Sequence, residues 1–102
     1  SLTYTYRNGQ TIRSKLFSIK FCANPRKRFS RVAVVVSKKV AKKAVQRNFL
    51  RRRLYSLIRP YIAQFQRNYD LIIIVHSAEL GQVKFAELEQ KIITELKNQQ
   101  IL

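Results

Sequence analysis

No aspartate or glutamate occurs before Asp70. Residues 1–69 nonetheless hold 18 of the 21 Lys and Arg residues, while the last 33 residues carry three Lys against five carboxylates. Internal ion pairs therefore cannot neutralise the first two-thirds of the chain. A formal net charge of +16 calls for an external polyanion, and nucleic acid is the abundant one. Cysteine and histidine are nearly absent too, with Cys22 and His76 the single examples. That excludes an internal disulfide, a His/Cys metal cluster and a Cys–His couple with a second orienting base. A lone thiol suits a reducing, cytoplasmic setting. Cys22 is expected as a small buried hydrophobe, and His76 as a packed or surface residue at a strand end. With two Gly and two Pro there is no flexible linker or low-complexity tract. The longest apolar run, Leu71 to Val75, is too short to cross a bilayer, and neither a signal-peptide core nor a lipidation motif is visible.

What is present is enough for one small folded unit. Over 102 residues, 46% are hydrophobic, too many for a disordered basic tail, so residues 1–102 are read as one domain. Lys15 to Ala23 alternates, with Phe17, Ile19 and Phe21 on one face and Ser18 and Lys20 on the other, which predicts a half-buried strand. Asn24-Pro25-Arg26-Lys27-Arg28 is a basic turn, and the β-branched run Arg31 to Ser37 predicts a second strand, paired with the first as an antiparallel hairpin. The period then changes. Val45, Leu50, Leu54, Leu57, Ile58 and Tyr61 form a helical stripe, which Pro60 should end or kink near Leu57 to Arg59. Tyr69 to His76 predicts a third strand covered on both faces, and Phe85, Leu88, Ile92 and Leu96 a second helix. A short N-terminal piece, expected to be helical, precedes these elements. The order predicts a small sheet with helices packed on it.

The chemistry concentrates where the second strand runs into the first helix. Lys38, Lys39, Lys42 and Lys43 lead into Arg47, Asn48, Arg51 and Arg52, with Arg47 and Arg51 one turn apart. Tyr55 and Arg59 flank the same face. Like charges at this spacing destabilise an isolated helix by a few tenths of a kcal/mol, and no acidic residue is interspersed to relieve them. Phosphates would. Arginine forks suit bidentate phosphate contact, and Asn48 can read a ribose or a base edge, or simply hydrogen-bond locally.

The run Arg31-Val32-Ala33-Val34-Val35-Val36-Ser37-Lys38-Lys39-Val40, followed by Gln46-Arg47-Asn48-Phe49-Leu50-Arg51-Arg52, resembles the protein component of bacterial ribonuclease P. The resemblance extends along the chain through Tyr6-Arg7-Asn8-Gly9, Phe17, Asp70 with its apolar strand, and Phe85-Ala86-Glu87-Leu88. Phe49 stands where the signature's second Arg is usual, and His76 where an Arg often stands. An aromatic at 49 can stack on a base or pack against the N-terminal segment.

The resemblance implies an α+β fold, a two-layer α/β sandwich. Its small mixed sheet would carry a left-handed βαβ crossover, like the second domain of ribosomal protein S5. It implies a protein subunit that assists a catalytic RNA in removing the 5′ leader of precursor tRNA. The catalytic Mg²⁺ ions would be held by that RNA, with no catalytic or metal-binding residue in the chain, no dedicated protein partner and no membrane. Lys38, Lys39, Lys42, Lys43, Arg47, Asn48, Arg51 and Arg52 would dock on the RNA. Tyr6, Phe17 and Lys20 would form a cleft for the single-stranded leader, with plain core packing as the alternative for Phe17. The rival reading is a small basic ribosomal or other structural RNA-binding protein. A DNA-binding role lacks a helix-turn-helix pair. A freestanding nuclease lacks a convincing carboxylate pair.

Overall fold

The structure is a computed structural model that describes residues 9–24 and 29–102. Its elements are β1 (Gln10–Arg13), β2 (Phe17–Ala23), β3 (Arg31–Val35), α1 (Ala44–Ile62), β4 (Tyr69–Val75), a 3-10 turn (Ala78–Gln82) and α2 (Phe85–Asn98). The four strands form one sheet in the order β1-β2-β4-β3. β1 and β2 are antiparallel, as are β2 and β4, whereas β3 and β4 are parallel. Two adjacent parallel strands require a crossover, and α1 supplies it.

The strand order corrects one expectation. β2 and β3 do not form a hairpin, because β4 lies between them. The composition of β4 explains the insertion. Leu71, Ile72, Ile73 and Val75 are each at most 3% exposed, a demand only a central strand meets. β1 is the other surprise, since four residues are too few for alternation to announce a strand.

Register sorts the side chains onto two faces. Phe17, Ile19 and Phe21 lie opposite Val75, Ile73 and Leu71, and Val32 and Val34 extend the row on β3. This face meets Leu50, Leu54, Leu57 and Ile58 of α1 and Leu88, Ile92, Ile93 and Leu96 of α2, forming one core. Each such side chain contributes about 1.5–3 kcal/mol relative to leaving it in water. Two residues named in the helical stripes fall outside the core: Val45 is 74% exposed and Phe85 is 42% exposed.

Pro60 does not stop α1, which continues to Ile62. The proline sits in the last turn, and the carbonyl it leaves without a donor belongs to the exposed Ser56, where water can reach it. After α2, Gln100 adopts φ 62° and turns the chain so that Ile101 re-enters the core, its N–H bonding the carbonyl of Leu96 at 2.9 Å.

The two parallel strands are fastened at their start by Asp70. Its carboxylate accepts a bidentate pair from Arg31 (2.9 and 2.7 Å) and two contacts from the Asn24 amide (3.1 and 3.0 Å). The hydrogen bonds from Arg31 hold the Asp70 carboxyl below its ordinary range. Burial opposes that shift and Asn24 adds to it.

Candidate nucleic-acid interface

β3 runs straight into the basic segment. Val36 and Ala41 are buried, and between them the Ser37 carbonyl accepts the N–H groups of Val40 (3.1 Å) and Ala41 (3.2 Å). This tight turn, pinned at both ends by apolar anchors, leaves Lys38 and Lys39 at an exposed tip. Lys42 and Lys43, also exposed, then lead into α1.

The N-terminus of α1 is charged against its own dipole. Lys43 is the N-cap with no side-chain capping bond, and the first turn contains no acidic residue. The amide end of a helix favours anions, so cations gathered there are unfavourable until an anion joins them. Arg47, itself a donor, does not cap those amides but ties down the segment before them. Its Nη1 donates to the carbonyls of Ala41 (3.0 Å) and Lys42 (2.9 Å), folding the lysine-bearing turn onto the helix.

One turn further on, Arg51 Nη2 donates to Asn48 Oδ1 at 2.5 Å, which orients the guanidinium and leaves the Asn48 amide nitrogen as a donor. Val45, Asn48, Arg51, Arg52 and Tyr55 line a shallow groove of about 470 Å³ along this side of α1. Tyr55 ties the groove to the sheet, because its hydroxyl accepts the N–H of Val34 at 3.2 Å. That bond also satisfies a donor of the edge strand β3. The eight residues singled out from the sequence thus form one continuous stretch of turn and helix. Lys38, Lys39, Lys42, Lys43, Asn48 and Arg52 are exposed, and Arg47 and Arg51 half-buried.

The neighbouring Arg53 does something else. It donates to the carbonyls of Gly81 (2.7 Å) and Val83, which fastens α1 to the 3-10 turn, and its buried Nε has no hydrogen-bond partner. Phe49 also faces that turn. A Cβ on Gly81 would lie 3.2 Å from Phe49 Cε2 and 3.1 Å from Leu50 Cδ2, so glycine is what lets the ring settle there. Its partner is therefore the 3-10 turn, while its ring remains 48% exposed.

The second expected surface is changed by the register. Phe17 and Lys20 are separated by an odd number of positions on β2 and point to opposite faces. Phe17 is 1% exposed within the core, so no face of its ring is open to a base, and packing replaces stacking. Lys20 is half-exposed on the face away from the helices, beside Ile72 of β4 and Thr11 of β1. Tyr6 lies outside the described residues. The same face carries Ala33 and Val35 of β3, the half-exposed Cys22 (rather than a buried one), and the buried Ser18, whose Oγ is 2.6 Å from His76 Nε2. Nothing in the sequence pairs Ser18 with His76; the register does, by placing the strand ends together. Among the described residues, no group of three His, Cys, Asp or Glu could hold a metal ion, and no helix is long and apolar enough to cross a membrane.

Comparison with known proteins gives one answer throughout. The family model described as Ribonuclease P matches residues 2–100. The ribonuclease P protein component of Thermus aquaticus is 36% identical over 91 residues, covering 89% of this chain and 51% of that protein. That of Carboxydothermus hydrogenoformans is 39% identical over 70 residues, covering 68% and 60%. The chain thus spans about half to 60% of the length of these curated relatives. Among solved structures, the RNase P protein of Thermotoga maritima superposes with a TM-score of 0.81 at 25% identity, covering 96% of this chain and 90% of that one. The Staphylococcus aureus protein shares the fold, with a TM-score of 0.81 at 20% identity over 98% and 89%. The signature segment and nearly the whole chain around it agree: this chain belongs to the ribonuclease P protein family.

Proposed function

We propose that this chain acts in the cytoplasm as the protein subunit of ribonuclease P. It binds the catalytic RNA and the 5′ leader of precursor tRNA and so promotes endonucleolytic removal of the leader. The observation that carries this reading is the basic turn and helix face from Lys38 to Arg52, continuous, outward-facing and free of carboxylates. Lys38, Lys39, Lys42 and Lys43 act as point charges towards phosphates. Arg51, oriented by Asn48, and Arg52 act as forks, and Arg47 holds the turn against the helix. The half-exposed part of the sheet face around Lys20 receives the single-stranded leader, with Ala33 and Val35 of β3 as apolar contacts.

Hydrolysis requires charge stabilisation at the reacting phosphate, and among the described residues no group of three His, Cys, Asp or Glu could hold a metal ion to supply it. In this reading the partner RNA holds the Mg²⁺ ions, and the protein's cations lower the Mg²⁺ concentration at which substrate and catalytic RNA associate. Cleavage of precursor tRNA by a bacterial ribonuclease P RNA at low Mg²⁺ tests this. Stoichiometric protein should restore correctly placed cleavage. Tight binding to the RNA without rescue would point to a structural RNA-binding role.

A further inference from the structure

Val45 and Arg52 form a ridge on α1 with a groove on either side. One groove is that described above. The other, about 430 Å³, is lined by the same two residues together with Gln46, Phe49, Leu50 and Gly81 among others. That volume lies in the range of pockets that accept small organic groups. Its walls are largely apolar, since Val45 and Phe49 are one helical turn apart and are 74% and 48% exposed. Its charge is of one sign. Arg52 stands on the rim, Lys42 and Lys43 immediately precede this end of the helix, and no carboxylate lines the groove among the described residues. Glu79, in the adjoining 3-10 turn, lines a different pocket with Lys15 and Lys91.

An apolar, aromatic-walled groove inside a cationic surface suits a ligand that is flat and apolar at one end and anionic at the other. We infer that Phe49 and Val45 seat one unpaired base of the partner RNA over the Gly81 floor, while Arg52 holds an adjoining phosphate. This rests on the RNA-docking reading above and adds a contact of a different kind. Phosphate contacts position the RNA along the helix, whereas a stacked base adds affinity only where the RNA presents an unpaired base there. Gly81 belongs to the arrangement because a Cβ there would press on Phe49 and Leu50 and fill the groove floor.

The test is equilibrium binding of a bacterial ribonuclease P RNA over a salt series, for wild type, Phe49→Leu and Phe49→Tyr. Leucine keeps an apolar group against Gly81 but lacks a π face; tyrosine keeps the face. The expected result is a loss of about 5- to 150-fold in affinity for Phe49→Leu with an unchanged salt slope, and near wild-type affinity for Phe49→Tyr. Wild-type affinity for Phe49→Leu would overturn the seat while leaving the docking surface intact. So would a flatter salt slope in that variant, since Phe49 would then act by placing cations. Absence of salt-dependent RNA binding by wild type would instead overturn the docking reading and the seat with it. Should Phe49→Leu fail to fold, ultraviolet crosslinking of the wild-type complex decides. An adduct at Phe49 is expected, and adducts confined to other peptides would overturn the seat.

Discussion

The two helices pack on the same face of the sheet by the same device, a row of leucines and isoleucines, yet their outer faces are opposites. α2 mixes Glu87, Glu89 and Glu95 with Lys91 and Lys97. It places Glu87 in its first turn and Lys97 in its last, which suits the helix dipole. α1 has no acidic residue at all and gathers lysines where the dipole disfavours them. Both lack a side-chain N-cap, but only α2 offsets the lack with charge. α2 is thus a solvated helix that serves the core. α1 serves the core with one face and keeps the other in a state that a polyphosphate would relieve.

The largest effect should come from reversing charge on α1. Arg51→Glu with Arg52→Glu should weaken binding to the ribonuclease P RNA by about 100-fold or more, because two like charges are set against phosphates. Lys91→Glu with Lys97→Glu changes charge by the same amount on α2 and should alter affinity by less than about 3-fold, mainly through the long-range field. Equal losses in a filter-binding titration would dissolve the distinction between the helices.

Next in size is Asp70, the carboxylate that the basic half of the chain recruits across the sheet. Asp70→Asn leaves Arg31 without its partner and should cost about 1–3 kcal/mol in denaturant unfolding. The sign of the pH dependence follows from the lowered folded-state pKa. The stability from this group is fully present above the unfolded carboxylate value near 3.9 and is lost as pH falls through the folded value. The acid-side loss of stability should therefore be shallower in Asp70→Asn than in wild type. An identical acid limb would show that Asp70 does not set it.

Adjacent arginines give a sharper contrast. Arg53→Ala removes two bonds to the 3-10 turn and should cost about 1–2 kcal/mol of stability. Arg52→Ala should change stability by less than about 0.5 kcal/mol and reduce the salt slope of RNA binding by about one. Reversed assignments would mean that the run had been divided wrongly. The smallest effect belongs to the end of α2. Gln100→Gly relieves a left-handed residue and should raise stability by about 0.5–1 kcal/mol; a loss would show that the glutamine side chain holds the turn.

The same contrasts show what was legible in the sequence. Periodicity located β2, β3, β4 and both helices, because burial on one face writes period 2 or 3.6 directly into the residues. The exposed basic run was legible for a separate reason: consecutive cations with no carboxylate nearby have little use inside a protein. Pairing was not legible. Alternation records which residues face the core but not which strand lies beside which, so β4 between β2 and β3 came only from the fold. The register separates Phe17 from Lys20, two residues expected in one leader cleft, because they cannot share a face of one strand. Arg51, Arg52 and Arg53 look equivalent in sequence, but successive residues turn about 100° around a helix. What the third one meets, the carbonyls of Gly81 and Val83, is 28 and 30 residues away. Phe49 against Gly81, Ser18 against His76 and Tyr55 against Val34 are likewise long-range meetings that no local pattern records.

The measurement that bears most directly on the central claim is the salt dependence of wild-type binding to a bacterial ribonuclease P RNA. Six or more phosphate contacts along Lys38 to Arg52 predict a log–log slope of about −4 or steeper, flattened by about two in Arg51→Glu with Arg52→Glu. A wild-type slope near −1, or one that the double reversal leaves unchanged, would contradict the assignment of this helix face as the RNA-docking surface.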